Sequence, residues 1–233
     1  MKFIPIASSS RGNAYRLQSE GGSQLLIECG IKLDKLQQAF NFKLTKVDGV
    51  LITHEHADHS VAVKDLLKIG LNVYMTEGTR RALDIEHRRI KIIEARKQFK
   101  IGEWTIMPFD VEHDAEEPVG FLIQSKEGEK LLFATDTFYI RYKFKGLSII
   151  AVECNFSEDI LNENIKNEEV PVMLKTRLMS SHFSFENYMD FLKNTDMEQV
   201  REIWLLHMSH TNSDEYLFKK EVQKLTGKPT YIA

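Results

Sequence analysis

The sequence is sparing with cysteine and with long apolar runs and has no excess of positive charge, and each of these narrows what the chain can be. Cys29 and Cys154 are the only 2 cysteines among 233 residues. That is too few for a disulfide-stapled secreted scaffold, so a reducing cytoplasm is the simplest setting. Both are read as small buried hydrophobes in preference to ligands or nucleophiles. No apolar stretch approaches the ~20 residues of a membrane span, and Met1-Lys2-Phe3-Ile4-Pro5 leads straight into a strand-like segment rather than a signal peptide. The expectation is a cytoplasmic protein with no membrane partner. A net charge of -3 and a pI near 6.3 leave no basic footprint of the kind avid duplex or tRNA binding requires, a local basic patch aside. Linkers and low-complexity segments are lacking too. The chain is therefore read as one domain over residues 1–233, long enough for a well-buried core.

What the chain has instead is histidine in the right place. Of its 8 histidines, three fall with an aspartate in Leu51-Ile52-Thr53-His54-Glu55-His56-Ala57-Asp58-His59, directly after an apolar run. Neutral imidazole and carboxylate are ligands of zinc and similar first-row metals. In an extended segment alternate side chains share a side, so His54 and His56 can reach one metal together. Asp58 and His59 follow a bend and can turn toward a second. A chance polar loop is the competing account, and the clustering argues against it.

Around this loop the patterning is mixed. Lys2 to Ile6 reads as a strand, followed by Ala7 to Ala14, whose small residues and glycine suit either an anion-binding nest or a plain hairpin turn. Ser9, Ser10 and Asn13 are its candidate substrate contacts. Tyr15–Ser19 and Ser23–Cys29 read as strands and Leu33–Phe42 as a helix. Val47–Thr53 is a buried strand delivering the histidine loop. Ser60 is the expected N-cap of a helix over Val61–Ile69 that Gly70 stops. Asn72–Met75 is strand-like, Thr76–Asp84 a short helix, and Ile85–Lys100 a charged, solvated segment containing His87. Strands are then expected at Thr105–Val111, Val119–Ser125, Lys130–Ala134, Ser148–Val152 and Glu202–Leu206. Helices are expected over Ser157–Glu169, Phe185–Asn194 and Asp214–Leu225.

Strand after strand ends on a potential ligand: His54, His113, Asp136, Glu153 and His207. Polar groups projecting from the ends of apolar strands are how α/β folds build sites. A lone His or Asp at such a point is most often a turn former; five in series are not.

These residues, in this order, resemble the metallo-β-lactamase-fold hydrolases, and most closely their tRNase Z-like phosphodiesterase branch. Thr53 to His59 matches the signature loop. His113, Asp136 and His207 match the later motifs. The resemblance implies an α/β fold, an αββα four-layer sandwich, holding two divalent metal ions. Zn2+ is the default and Mn2+ is also compatible with the ligand types. His54, His56 and His113 would hold one ion, Asp58, His59 and His207 the other, and Asp136 would bridge. Asp58, His182 and Glu153 would be the catalytic residues, Glu153 orienting His182 to protonate the leaving oxygen. Lys175 and Arg177 could hold a phosphate. Glu28 departs from the family's usual Asp, which puts its support of the site in doubt. The arm that grips tRNA would fall between His113 and Asp136, where only a hairpin fits, so tRNA is set aside as substrate. Among compact members the chain resembles the phage-type anti-Pycsar enzymes. That implies a homodimer opening 3′,5′-cyclic mononucleotides, in a host cytoplasm. A nucleic-acid exonuclease of the same fold and a non-catalytic metal-dependent nucleotide sensor are the alternatives.

Overall fold

A computed structural model describes residues 1–233. The chain forms two compact units: Met1–Asp110 with Ala115–Glu129, and Val111–Asp114 with Lys130–Ala233.

The first unit holds a six-stranded sheet, β1 (Lys2–Ser9), β2 (Gly12–Gln18), β3 (Gln24–Ile27), β4 (Gly49–Leu51), β5 (Val73–Met75) and β6 (Ile90–Ile92), in sequential order. β1, β2 and β3 pair antiparallel, as tight hairpins allow; the β3–β4, β4–β5 and β5–β6 pairs are parallel, each needing a crossover. Helices α1 (Leu33–Ala39), α2 (Ala57–Ser60), α3 (Val63–Lys68) and α4 (Glu77–Ala82) lie in those crossovers, and α1 and α3 bury apolar faces. Leu36, Leu66 and Leu67 pack with Leu26, Val50 and Val73 of the sheet. At about 25 cal/mol per Å2 of apolar surface, each such leucine contributes about 2 kcal/mol relative to exposure. The unit also contains β7 (Phe99–Ile101), β8 (Trp104–Asp110) and β9 (Val119–Gln124), antiparallel members of a second, seven-stranded sheet.

The remaining strands of that sheet belong to the second unit: β10 (Lys130–Ala134), β11 (Ile149–Glu153), β12 (Glu202–Leu206) and β13 (Thr230–Ile232), all parallel. Every residue of β11 is buried, which is why Ile-Ile-Ala-Val reads as a continuous apolar run and not an alternation. Helices α5 (Glu158–Lys166), α6 (Val172–Ser181), α7 (Phe185–Lys193) and α8 (Glu215–Thr226) fill the connections. Ser157, Ser184 and Asp214 cap α5, α7 and α8 with side-chain oxygens, and Gly227, at φ 68°, ends α8 in the left-handed conformation that glycine tolerates.

Several expectations shift. Ser60 caps nothing. It closes a short helix, α2 (Ala57–Ser60), and its hydroxyl donates back to the Glu55 and His56 carbonyls, while α3 starts only at Val63. The serine and glycine turn is the hairpin between β1 and β2. The charged stretch after Ile85 hides two short strands, β6 and β7, whose three-residue lengths give no readable alternation. Helix α6 was not expected, because its sequence carries little segregation of apolar from polar residues. The short edge strand β13 was not expected either.

Candidate metal site

In the first unit, β4 delivers the chain through Ile52 and Thr53 to the histidine loop, where α2 turns it back. His54 and His59 are buried. The Nδ1 atom of His54 lies 2.9 Å from the Thr53 hydroxyl, and its Nε2 lies 3.1 Å from His56 Nδ1. Two nitrogens bound tetrahedrally at 2.0–2.1 Å from one zinc would stand about 3.4 Å apart, so this spacing fits a shared cation. His59 Nε2 lies 3.3 Å from Asp58 Oδ2.

The loop rests on a scaffold that the sequence only partly disclosed. The Cys29 amide donates to the His59 carbonyl, the Gly30 amide to the Asn13 carbonyl, and the Ala62 amide to the Cys29 carbonyl. A Cβ on Gly30 would sit 1.6 Å from the Asp58 carbonyl oxygen, so only glycine lets these backbones approach. Asn13 is fully buried, and its amide reaches the Asp58 carbonyl and His59 Nε2 at 3.3 and 3.1 Å; it braces the loop from behind. Ser9 accepts a hydrogen bond from the Arg11 amide, and Ser10 is exposed in the turn. Glu28, despite its extra methylene, does reach the loop: Oε1 lies 3.7 Å from His59 Nδ1 and accepts from the Thr53 amide. Burial raises its carboxyl above the usual range, against the lowering by His59.

In the second unit five of the sequence-selected residues converge. The His113 Nδ1 atom lies 2.9 Å from the Ser181 carbonyl. A carbonyl only accepts, so Nδ1 carries the proton and Nε2 keeps its lone pair, the arrangement typical of a metal-ligating histidine. That Nε2 lies 3.6 Å from Asp136 Oδ2. The other Asp136 oxygen lies 3.4 Å from His207 Nδ1. The two oxygens thus face different histidines, as a bridging carboxylate must. Burial lowers the His113 pKa, against Asp136, which favours the neutral imidazole a metal requires. Asp136 and His207 both sit at φ 50°, in the left-handed region that side chains with a Cβ seldom adopt. Strand ends bent this way turn the side chains back toward the site.

His182 follows the end of α6, and its Nδ1 lies 2.6 Å from Glu153 Oε1. The second Glu153 oxygen accepts from the Thr137 and Phe183 amides at 3.0 and 3.2 Å, so the carboxylate is held on both sides. Donor atoms of Asp136, Glu153, His182 and His207 all lie within 4.8 Å of one another. Burial would lower the His182 pKa, but the charge and hydrogen bond of Glu153, with Asp136 and Asp114 behind, push it up to about 9. Lys175 is turned to Asn162, and Arg177 lies 3.9 Å from Asp114. Asn155, missed in the sequence, donates to the His207 carbonyl and fixes its strained turn. Within each unit the cluster of imidazoles and carboxylates fits a divalent metal by donor type and spacing. Cys29 and Cys154 are buried thiols, pushed up by burial and by Glu28 and Glu153, and take no part.

Residues 24–208 match the Beta-lactamase superfamily domain. The chain is 29% identical over 229 residues to exodeoxyribonuclease WalJ of Streptococcus pneumoniae, covering 91% of this chain and 83% of that protein. It is 45% identical over 47 residues to the anti-Pycsar protein Apyc1 of Bacillus phage 010DV004, covering 20% and 18%. The metallo-β-lactamase fold protein YhfI of Bacillus subtilis superposes with a TM-score of 0.75 at 17% identity, over 99% of this chain and 95% of that one. No helix is long and apolar enough to cross a membrane.

Proposed function

The chain belongs to the β-lactamase superfamily, with the metallo-β-lactamase fold, and on that premise we propose that it is a metal-dependent phosphodiesterase that removes nucleotides from DNA. The observation that carries this reading is the His182–Glu153 pair beside Asp136 and His207. In this reading His54, His56 and His113 would hold one divalent ion and Asp58, His59 and His207 a second, and Asp136 would be a ligand shared by both. Zinc is the ion this histidine-rich set favours, and manganese is the runner-up. When bound, such ions polarise the phosphoryl oxygens and neutralise their developing charge.

The chain's own groups manage the protons. A water attacks phosphorus, and the Asp58 carboxylate, 25% exposed, accepts its proton. As the bond from phosphorus to the leaving oxygen breaks, the proton on His182 Nε2 passes to that oxygen. Glu153 stabilises the imidazolium beforehand and fixes the Nδ1 proton on its own side. A phosphodiester needs such an acid because its leaving group is an alkoxide.

DNA is favoured over cyclic mononucleotides because similarity to an exodeoxyribonuclease runs through nearly the whole chain, whereas similarity to Apyc1 is confined to a short stretch. Cyclic mononucleotide opening, with a homodimer as its expected form, is the second reading, supported by that short stretch and by the hairpin-length gap after His113. A panel of linear DNA, cyclic nucleotides, a tRNA precursor, bis-p-nitrophenyl phosphate and a thioester, run beside His182→Ala, tests both. Loss of DNA ends, slowed in the variant, is the expected result. Rapid opening of cyclic nucleotides with intact DNA would install the second reading. No turnover on any substrate would leave a nucleotide sensor.

A further inference from the structure

Just beyond Asp136 the chain runs Phe138-Tyr139-Ile140-Arg141-Tyr142-Lys143-Phe144-Lys145, with four aromatics, three cations and no acid in eight residues. In a chain of net charge -3 this is a local reversal of sign. The segment carries no helix or strand, yet its burial alternates: Ile140 is buried and Tyr142 and Phe144 half-buried, while Arg141, Lys143 and Lys145 are exposed. Arg141, Lys143 and Lys145 therefore set three exposed cations within five residues, each separated by one more buried neighbour.

The segment is anchored where it leaves the site. The Thr137 amide donates to Glu153, the Thr137 hydroxyl to the Tyr139 carbonyl, and the Phe138 amide to the Glu112 carbonyl. Phe138 and Tyr139 are 36% and 40% exposed, large rings at the surface. The Tyr139 ring lies 6.2 Å from that of Phe183, the residue after His182. Arg141 pairs with Glu112 at 2.6 Å but is 72% exposed, so water screens the pair and a phosphate can displace it. The cleft alongside is about 50 Å3, space for one or two waters and not for a base. Bases would lie on the rings and not in a pocket. Exposed aromatic faces next to exposed cations are the elements with which proteins hold single strands.

We propose that residues 138–145 are a docking strip for single-stranded DNA, carrying the strand away from His182 and Glu153. Tyr139 stacks a base near the scissile phosphate, and Arg141, Lys143 and Lys145 take the phosphates that follow. The strip rests on the reading of the site as a DNA phosphodiesterase and supplies its substrate grip.

The test is fluorescence anisotropy of the metal-loaded full chain with a labelled, phosphorothioate-linked oligo-dT, titrated at several salt concentrations. Each phosphate contact adds about 0.7 to the slope of log affinity against log salt. The combined Arg141→Ser, Lys143→Ser and Lys145→Ser variant is expected to flatten that slope by about 2, and Lys143→Ser alone by about 0.7. Tyr139→Ala is expected to weaken binding about tenfold. Turnover of bis-p-nitrophenyl phosphate should stay at the wild-type rate in the triple variant and in Lys143→Ser. A wild-type salt slope in the triple variant would overturn the strip even with DNA cleavage intact. Strip-dependent binding without cleavage would keep the strip and sink the nuclease reading. Failure of the wild type to bind the oligonucleotide at low salt would overturn the proposal. So would a triple variant that loses phosphatidylserine vesicles but not DNA.

Discussion

Replacing Glu153 with glutamine isolates one charge in the site while leaving its shape almost unchanged. Glu153 is fully buried, bonded to His182 through one oxygen and to two backbone amides through the other. Its charge and hydrogen bond do most to lift His182 to about 9 against the opposing effect of burial. With glutamine in place that burial is opposed mainly by Asp136 and Asp114, so His182 should titrate at or below the ordinary 6.5. The gap between about 9 and 6.5 corresponds to about 3 kcal/mol of stability.

The pH window follows from the direction. A histidine raised in the folded state contributes fully below its unfolded value of 6.5, and that contribution disappears as pH climbs through about 9. Wild-type and Glu153→Gln protein, both stripped of metal, should therefore differ most near pH 6 and converge by pH 10. For a chain of this size, about 3 kcal/mol corresponds to roughly 6–12 °C in melting temperature. Two assays check this: imidazole proton shifts followed by NMR across pH 5–10, and paired thermal melts. A wild-type His182 midpoint at 6.5 or lower, or a melting difference that stays constant from pH 6 to 10, would refute the reasoning. Titrating groups other than Glu153 and His182 are common to both proteins and largely cancel in the difference.

Other consequences can be checked independently. His54→Ala and Asp136→Ala should each lose metal together with activity; elemental analysis still finding two ions per chain would make the proposed ligand set wrong. Gly30→Ala forces a Cβ to 1.6 Å from the Asp58 carbonyl, so it should cost about 3 kcal/mol or more and lower the melting temperature by several degrees; an unchanged melt would mean that the loop backbone yields freely. Asn13→Ala removes a buried amide that holds Asp58 and His59, and should weaken metal affinity in a chelator competition by about tenfold or more, an effect that Asn13→Asp should not simply restore because it adds a buried charge. In the proposed mechanism, DNA cleavage by Glu153→Gln should fall off above a lower pH than in the wild type, since its His182 gives up the catalytic proton sooner. Coincident alkaline limbs would remove His182 as the acid.

How much of this could be read from the sequence depends on what kind of signal each part left. Strands β10 and β11 were visible because parallel strands buried on both faces are written as unbroken apolar runs, and β12 because Ile203 and Leu205 alternate with the half-buried Glu202 and Trp204. The polar residue closing each run was visible for the same reason. Strands β6 and β7 left almost no trace, since three residues cannot display a period, and their lysines and exposed isoleucine look like any solvated segment. Ser60 shows a subtler failure. Its position before an apolar helix suggested a cap, but its hydroxyl is spent on carbonyls inside the turn of the histidine loop itself. The same side chain serves either purpose, and only the backbone decides which.

The supporting residues were legible in identity but not in role, and the difference is informative about how such a site is built. Asn13 looked like a substrate contact because it sits in a small polar turn. Yet the hairpin between β1 and β2 turns it inward, where its amide meets His59. Glu28 looked one methylene too long, but its own φ of 62° displaces the backbone and lets the carboxylate still reach Thr53 and His59. Asp136 and His207 repeat the device, each at φ 50° at or just beyond a strand end. Left-handed backbone at a residue with a Cβ costs of order 1 kcal/mol or more, and at Glu28, Asp136 and His207 it falls on groups that each face a histidine or carboxylate of their own unit. Sequence pattern names the side chains because chemistry restricts their type. It cannot say where the backbone bends against its preference, and at these three positions that bend determines which partner each group meets.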